Sequence, residues 1–209
     1  IMAKITGAAA RLLANQLQCI AESKGYAFFD YKKKPWNLNI IGVRSDIAKA
    51  NKFDDSMYVV YRNSSKEWEV RLYKITTDPG TYYLKNPMNV NGTAIVVPGQ
   101  YRSAYKRGTH YTYEALVQRG KNPIKIYRDR DKDEILDMDP DTIIEGHFGI
   151  NIHKAGTDSS IVHKWSAGCQ VFKTSSDFND FMKLIHRSES HWGKYYSYTL
   201  LEEKDFEGC

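Results

Sequence analysis

Cysteine is scarce in this chain: three residues, at 19, 169 and 209, among 209. An odd, sparse set does not read as a disulfide framework. The expectation is a reducing compartment, or an exported protein that does not depend on bridges. Nowhere do about 18 apolar residues run together, so no membrane span is expected. The opening Ile1-Met2-Ala3-Lys4 leads into an apolar stretch interrupted by Arg11, Asn15 and Gln16, with no cleavage pattern after it. On that pattern a secretory signal is not expected. Internal repeats, low-complexity linkers and long basic blocks are also absent. The last absence argues against nucleic acid as partner, although Lys and Arg outnumber Asp and Glu, 30 to 25. A modest positive balance fits some anionic partner.

What is present reads as one sizeable core with a small appended element. Hydrophobic residues make up 42% and tyrosine is abundant, with 15 residues, which favours β structure. Residues 8–24 form a helix by the spacing of Leu13, Leu17 and Ile20, with Gly25 as its stop. Cys19 falls in this helix and reads as a small buried hydrophobe. From Trp36 the pattern alternates, with Leu38 and Ile40 on the same face. Met57-Tyr-Val-Val-Tyr61 and Trp68-Glu-Val-Arg-Leu72 flank the turn residues 63–66 and predict a hairpin. Asp78-Pro79-Gly80 is a turn signal. Thr93-Ala-Ile-Val-Val97 is a short strand. Residues 99–122 show no period and read as a mobile excursion over a cleft. Further strands are expected at 124–127 and 134–137, around an acidic turn, and at 143–153, 168–172 and 195–201. Ser176 is a good N-cap for a helix carrying Phe178, Phe181, Met182 and Ile185 on one face. The sum is a mostly β, β-rich α+β fold, with a helical element over 1–35 and a main domain over 36–209.

The chemistry concentrates in Gly146-His-Phe-Gly-Ile-Asn-Ile-His153 and, after a polar loop, Ser166-Ala-Gly-Cys169. Strand alternation puts Phe148, Ile150 and Ile152 on a buried face, and His147, Asn151 and His153 on the other. A thiol becomes a competent nucleophile when a base or positive charge favours its thiolate. His153 can supply that base, with His147 the lesser candidate. Gly168 permits a tight turn whose N–H groups can point at a reacting carbonyl oxygen. Ser166 can steady the turn through backbone bonds.

His153, followed after twelve residues by Ser166-x-Gly168-Cys169, resembles the signature of the L,D-transpeptidase catalytic domain, also called YkuD-like. Gly149-Ile-Asn-Ile-His153 is similar to that family's histidine strand, and Val97-Pro98-Gly99-Gln-Tyr101 to its Thr-Pro-x-Gly strand. The motif order covers roughly 55–185. The resemblance implies a β-sandwich fold and a cysteine nucleophile that forms a thioester with peptidoglycan stem peptides, without a cofactor. It also implies action at the bacterial cell wall. Three positions depart from the pattern. Lys154 follows the histidine, whose neighbour's carbonyl orients the ring in the family; Ala167 replaces a frequent histidine; Val171 replaces an arginine or asparagine. These departures favour hydrolysis by a phage lysin-like or delivered lytic enzyme over cross-linking by a transpeptidase. A rival reading is a wall-binding virion or structural module that kept the fold and lost the chemistry. Chain order separates the chain from papain-like peptidases, where the cysteine comes first.

Tyr101, Arg102, His110 and Tyr111 of the excursion are candidates for contact with an anionic peptide, as are Asn151 and Trp165. Asp129-x-Asp131-x-Asp133 has oxygen ligands at the alternate positions of a calcium loop. Glu134 and Pro140 stand where that loop wants glycine and glutamate, so no metal is expected, and the bland reading is a solvated acidic turn.

Overall fold

In the computed structural model, which describes residues 2–47 and 49–209, the first helix forms where the apolar period places it. Strand β1 (Ala3–Ile5) leads into helix α1 (Gly7–Ser23). Ala10, Ala14, Leu17 and Ile20 lie on one face and pack on Ile41, Val43, Val60, Trp68, Val70 and Leu201. Burial of Leu17 and Ile20 stabilises by about 1.5–3 kcal/mol each. Strand β1 pairs with β4 (Trp68–Thr76). The N-terminal element is thus built onto the sheet, and only Ile1 of it lies outside the described residues.

The predicted hairpin is β3 (Asp55–Arg62) with β4, in register Arg62 to Trp68. Strand β2 (Asn39–Arg44) starts later than the alternation from Trp36 predicts, because Trp36 adopts φ 69° and turns the chain. All six residues of β2 are buried. Its Ile41 and Val43 face α1, while Ile40 joins the main core, so both faces are covered. There follow α2 (Thr81–Lys85), β5 (Thr93–Val96), β6 (Gly99–His110), β7 (Tyr113–Val117), β8 (Ile124–Asp129), β9 (Ile144–Gly146), β10 (Ile152–Lys154) and β11 (Gln170–Phe172). Helix α3 (Ser175–Trp192), strand β12 (Tyr195–Glu202) and a 3-10 turn (Glu203–Gly208) complete the chain. The fold is β-rich α+β, as expected.

The larger sheet has the order β1-β4-β11-β10-β7-β6-β12-β2-β3, and β3 also pairs with β4. All of its strands but β1 therefore close into a hydrogen-bonded ring. Strands β5, β8 and β9 form a separate small sheet. One apolar cluster joins Met57, Ile75, Tyr105, Leu116 and Leu200 to Phe178, Phe181 and Ile185 of α3 and to Ala94, Val96 and Ile126 of the small sheet.

Several expectations are corrected. Residues 99–122 are no loose excursion: β6 and β7 make a hairpin in the larger sheet. A register shift opposite Tyr196 and Tyr198 breaks the period of β6, so no single alternation runs along it. Residues 134–137 form no strand; β8 pairs instead with β9. Helix α3 is capped by Thr174, whose Oγ1 accepts from Asp177 N–H at 3.3 Å, and not by Ser176. Cys19 is exposed on α1 and is bonded to Cys209, 190 residues away. The 3-10 turn brings Cys209 there by packing Phe206 into the α1 cluster. The cysteines are thus one bridge and one free thiol, Cys169.

Candidate active site

Residues 146–153 cross from one sheet to the other, since β9 belongs to the small sheet and β10 to the larger. The expected continuous strand over 143–153 breaks at Gly149, whose φ of 71° lies in the left-handed region open to glycine. Gln118, a buried side chain just after β7, takes up the backbone groups freed by the break. Its Oε1 accepts from Phe148 N–H at 2.9 Å and Ile150 N–H at 3.1 Å, and its Nε2 donates to the Gly146 carbonyl at 3.0 Å. His147 and His153 consequently do not share a strand face. His147 is exposed beyond β9, whereas His153 is 4% exposed on β10. Both still line one cavity, together with Cys169.

The cysteine turn precedes β11, which runs parallel to β10 with Ile152 opposite Gln170. That register sets Cys169 beside Asn151. The Asn151 N–H donates to Sγ at 3.4 Å, and the thiol donates to the Gly149 carbonyl at 3.8 Å. Ser166 braces the turn: its hydroxyl donates to the Cys169 carbonyl at 2.7 Å and accepts from Gly168 N–H at 3.1 Å. Gly168 has φ 124°, and a Cβ there would sit 2.6 Å from the Ala94 carbonyl oxygen. One expectation changes here. The Gly168 N–H is engaged by Ser166, so it does not serve an oxyanion. The N–H groups of Ala167 and Cys169 make no hydrogen bond among the described residues, and both residues line the cavity.

His153 is oriented by the carbonyl of Lys154, 2.9 Å from Nδ1. A carbonyl only accepts, so Nδ1 is assigned the proton and Nε2 is left as the basic atom. The Lys154 side chain is immaterial to this contact, because the backbone makes it. The Tyr113 hydroxyl lies 3.3 Å from Nδ1 and donates to the same carbonyl at 3.3 Å. On its other side the ring stacks on His110, with centroids 3.9 Å apart and planes 15° from parallel. Burial, then the neighbouring His110, push His153 down to about 3, against the Lys154 carbonyl. Burial pushes the Cys169 thiol up to about 11, against the Asn151 N–H. The resting pair is therefore a neutral thiol and a neutral imidazole. No hydrogen bond joins them among the described residues, so the thiol must leave the Gly149 carbonyl before it can meet a base.

The cavity holds about 600 Å³ and is lined by Arg128, Lys154 and Lys164, with no acidic side chain among the described residues of its walls. Arg128 is 9% exposed. Its Nη1 donates to the Gly92 carbonyl at 2.9 Å, while its Nε has no hydrogen-bond partner among the described residues. Trp165 lines the cavity and is half exposed. Tyr101 and Arg102 do not line it. Tyr101 is buried in the core with its hydroxyl bonded to the Val97 carbonyl, and Arg102 lies over the Phe29 ring at 5.3 Å. They sit near the wrong end of β6; its other end presents His110, and Tyr111 and Tyr113 follow in the cavity wall. Asn151 is a positioning residue and makes no wall. Its Oδ1 accepts from Gln118 N–H and its Nδ2 meets His110 Nδ1, both at 3.0 Å.

Gln118, Arg128 and the stacked His110 carry no local sequence signal for these roles. Of the acidic turn, Asp129 and Asp131 converge with Asp137, whereas Asp133 accepts from Ile135 N–H at 2.6 Å. Among the described residues no helix is long and apolar enough to cross a membrane. No family model, curated protein or solved structure matches the chain.

Proposed function

We propose that this chain is a cysteine-dependent peptidoglycan enzyme that cleaves stem-peptide bonds through a thioester on Cys169. The observation that carries the reading is the convergence of a braced Ser-x-Gly-Cys turn and a backbone-oriented histidine on one cavity. In this mechanism the sulfur attacks the substrate carbonyl carbon while Nε2 of His153 takes the thiol proton. That proton then goes to the leaving amine, and water releases the acyl group. The N–H groups of Cys169 and Ala167 are the donors available to the oxyanion. A neutral imidazole at rest suits a base that acts only as the thiol attacks. Three cationic side chains and no acidic one suit a substrate rich in carboxylates. Val171 is fully buried and offers the cavity no polar group, which supports hydrolysis over use of an amine acceptor.

The raised thiol favours a second reading, a wall-binding module whose chemistry is lost. Wild-type protein and Cys169→Ser are to be incubated with purified peptidoglycan, with and without an added amine acceptor, and the products identified by mass. Shortened stem peptides that vanish in the variant support hydrolysis. Cross-linked or amine-capped products identify a transpeptidase. Equal pelleting of both proteins with no product identifies the binding module and ends the enzymatic reading.

A further inference from the structure

The geometry points to a calcium site at the end of β8, formed by Asp129, Asp131 and Asp137, separate from the cysteine cavity. One carboxylate oxygen from each lies within 4.8 Å of the others. Calcium holds oxygens at about 2.3–2.6 Å, so oxygens facing each other across the ion are about 4.6–5.2 Å apart. Three oxygens at this spacing fit inside one such shell. Magnesium demands near-ideal octahedral geometry and usually binds through one or two carboxylates with several waters, so a set of three carboxylates fits calcium better.

A second observation is independent of the clustering. Asp129 is wholly buried, and its Oδ1 has no hydrogen-bond partner among the described residues. Its other oxygen accepts from the Asp137 N–H at 2.9 Å. A buried, unpartnered carboxylate oxygen is rare, and an ion is one of the few things that account for it. The charges around it deepen the case. Asp131, Asp133 and Asp137 all bring like charge toward Asp129. Of the nearby cations, Arg128 bonds to Gly92, Arg130 to the Asn91 carbonyl, and Lys85 pairs with Glu134. A divalent cation would relieve both the repulsion and the orphaned oxygen.

The spacing agrees, since Asp129, Asp131 and Asp137 occupy the first, third and ninth places of a calcium loop. Pro140 in the twelfth place leaves out the bidentate glutamate, so affinity in the range of extracellular calcium modules, about 10⁻⁴–10⁻³ M, is expected.

The test needs no enzymatic activity. The full chain is titrated with calcium chloride by calorimetry, and its melting is compared in calcium, magnesium and EDTA. One saturable calcium site is expected, with a higher Tm in calcium than in EDTA and little response to magnesium. Binding should weaken at least about tenfold in Asp131→Asn, which alters an exposed side chain and leaves folding intact. Asp129→Asn should abolish it; should that variant not fold, Asp131→Asn decides alone. No heat and no Tm change at about 10 mM calcium, above the weakest range for such modules, would overturn the site. So would an equal response from Asp131→Asn, or magnesium acting as well as calcium.

Discussion

The protonation state of the Cys169–His153 pair can be tested through the pH dependence of alkylation, because Cys19 and Cys209 are bonded and Cys169 is the one free thiol. An ordinary thiol near 9.0 is about 1% thiolate at pH 7, and a thiol near 11 about a hundredfold less. A more basic thiolate is intrinsically the better nucleophile, with a Brønsted slope of about 0.4–0.5, which restores about six- to tenfold. Iodoacetamide should therefore modify Cys169 about ten- to fifteenfold more slowly than an unhindered cysteine at pH 7. The rate should climb about tenfold per pH unit up to at least pH 10. His153→Gln should change this rate by less than about threefold, because the neutral ring makes no bond to the resting sulfur. Turnover of a stem-peptide substrate should instead fall by about 10²–10⁴, the usual contribution of a general base. The assay is mass-resolved alkylation across pH beside single-turnover hydrolysis. A plateau reached by about pH 6, collapsing in His153→Gln, would show a thiolate–imidazolium pair and refute the reasoning.

The same histidine should leave a mark on stability. Folded His153 titrates near 3 and the unfolded side chain near 6.5, so its contribution is complete above 6.5 and is lost as pH falls toward 3. At pH 5 that amounts to about 2 kcal/mol; denaturant melts of wild type and His153→Gln should differ in slope over this window, and parallel curves would contradict the burial argument. Gln118→Leu leaves the Phe148 and Ile150 N–H groups and the Gly146 carbonyl unpaired, at about 1–3 kcal/mol each where they stay dry. A loss below about 1 kcal/mol in urea melts would mean that water replaces the amide. Reducing the Cys19–Cys209 bridge, which closes a loop of nearly the whole chain, should cost about 2–5 kcal/mol. The readout is the Tm with and without reductant in Cys169→Ser, and an unchanged Tm would show the bridge absent or inconsequential.

The sequence by itself determined the elements whose signals are local. The apolar spacing of Leu17 and Ile20 and of Phe178, Phe181 and Ile185 places α1 and α3. The turn residues at 63–66 place the β3–β4 hairpin, and Ser166-x-Gly168-Cys169 carries its own brace. The orientation of His153 belongs here too, since the carbonyl of the next residue sets it. Tertiary structure alone decided the rest. The change of sheet at Gly149 depends on which strands flank it, and Gln118 matters only because β7 runs beside the break. The stack of His110 on His153 joins a hairpin tip to a strand residue 43 positions on. Tyr101 and Arg102 miss the cavity because β6 carries them toward its far end and a register shift hides their alternation. Cys19 meets Cys209 only because Phe206 docks on α1. Helical and strand periods are properties of neighbours in the chain, legible without the fold. Which faces meet is set by strand register and packing over long separations, and no local period encodes that.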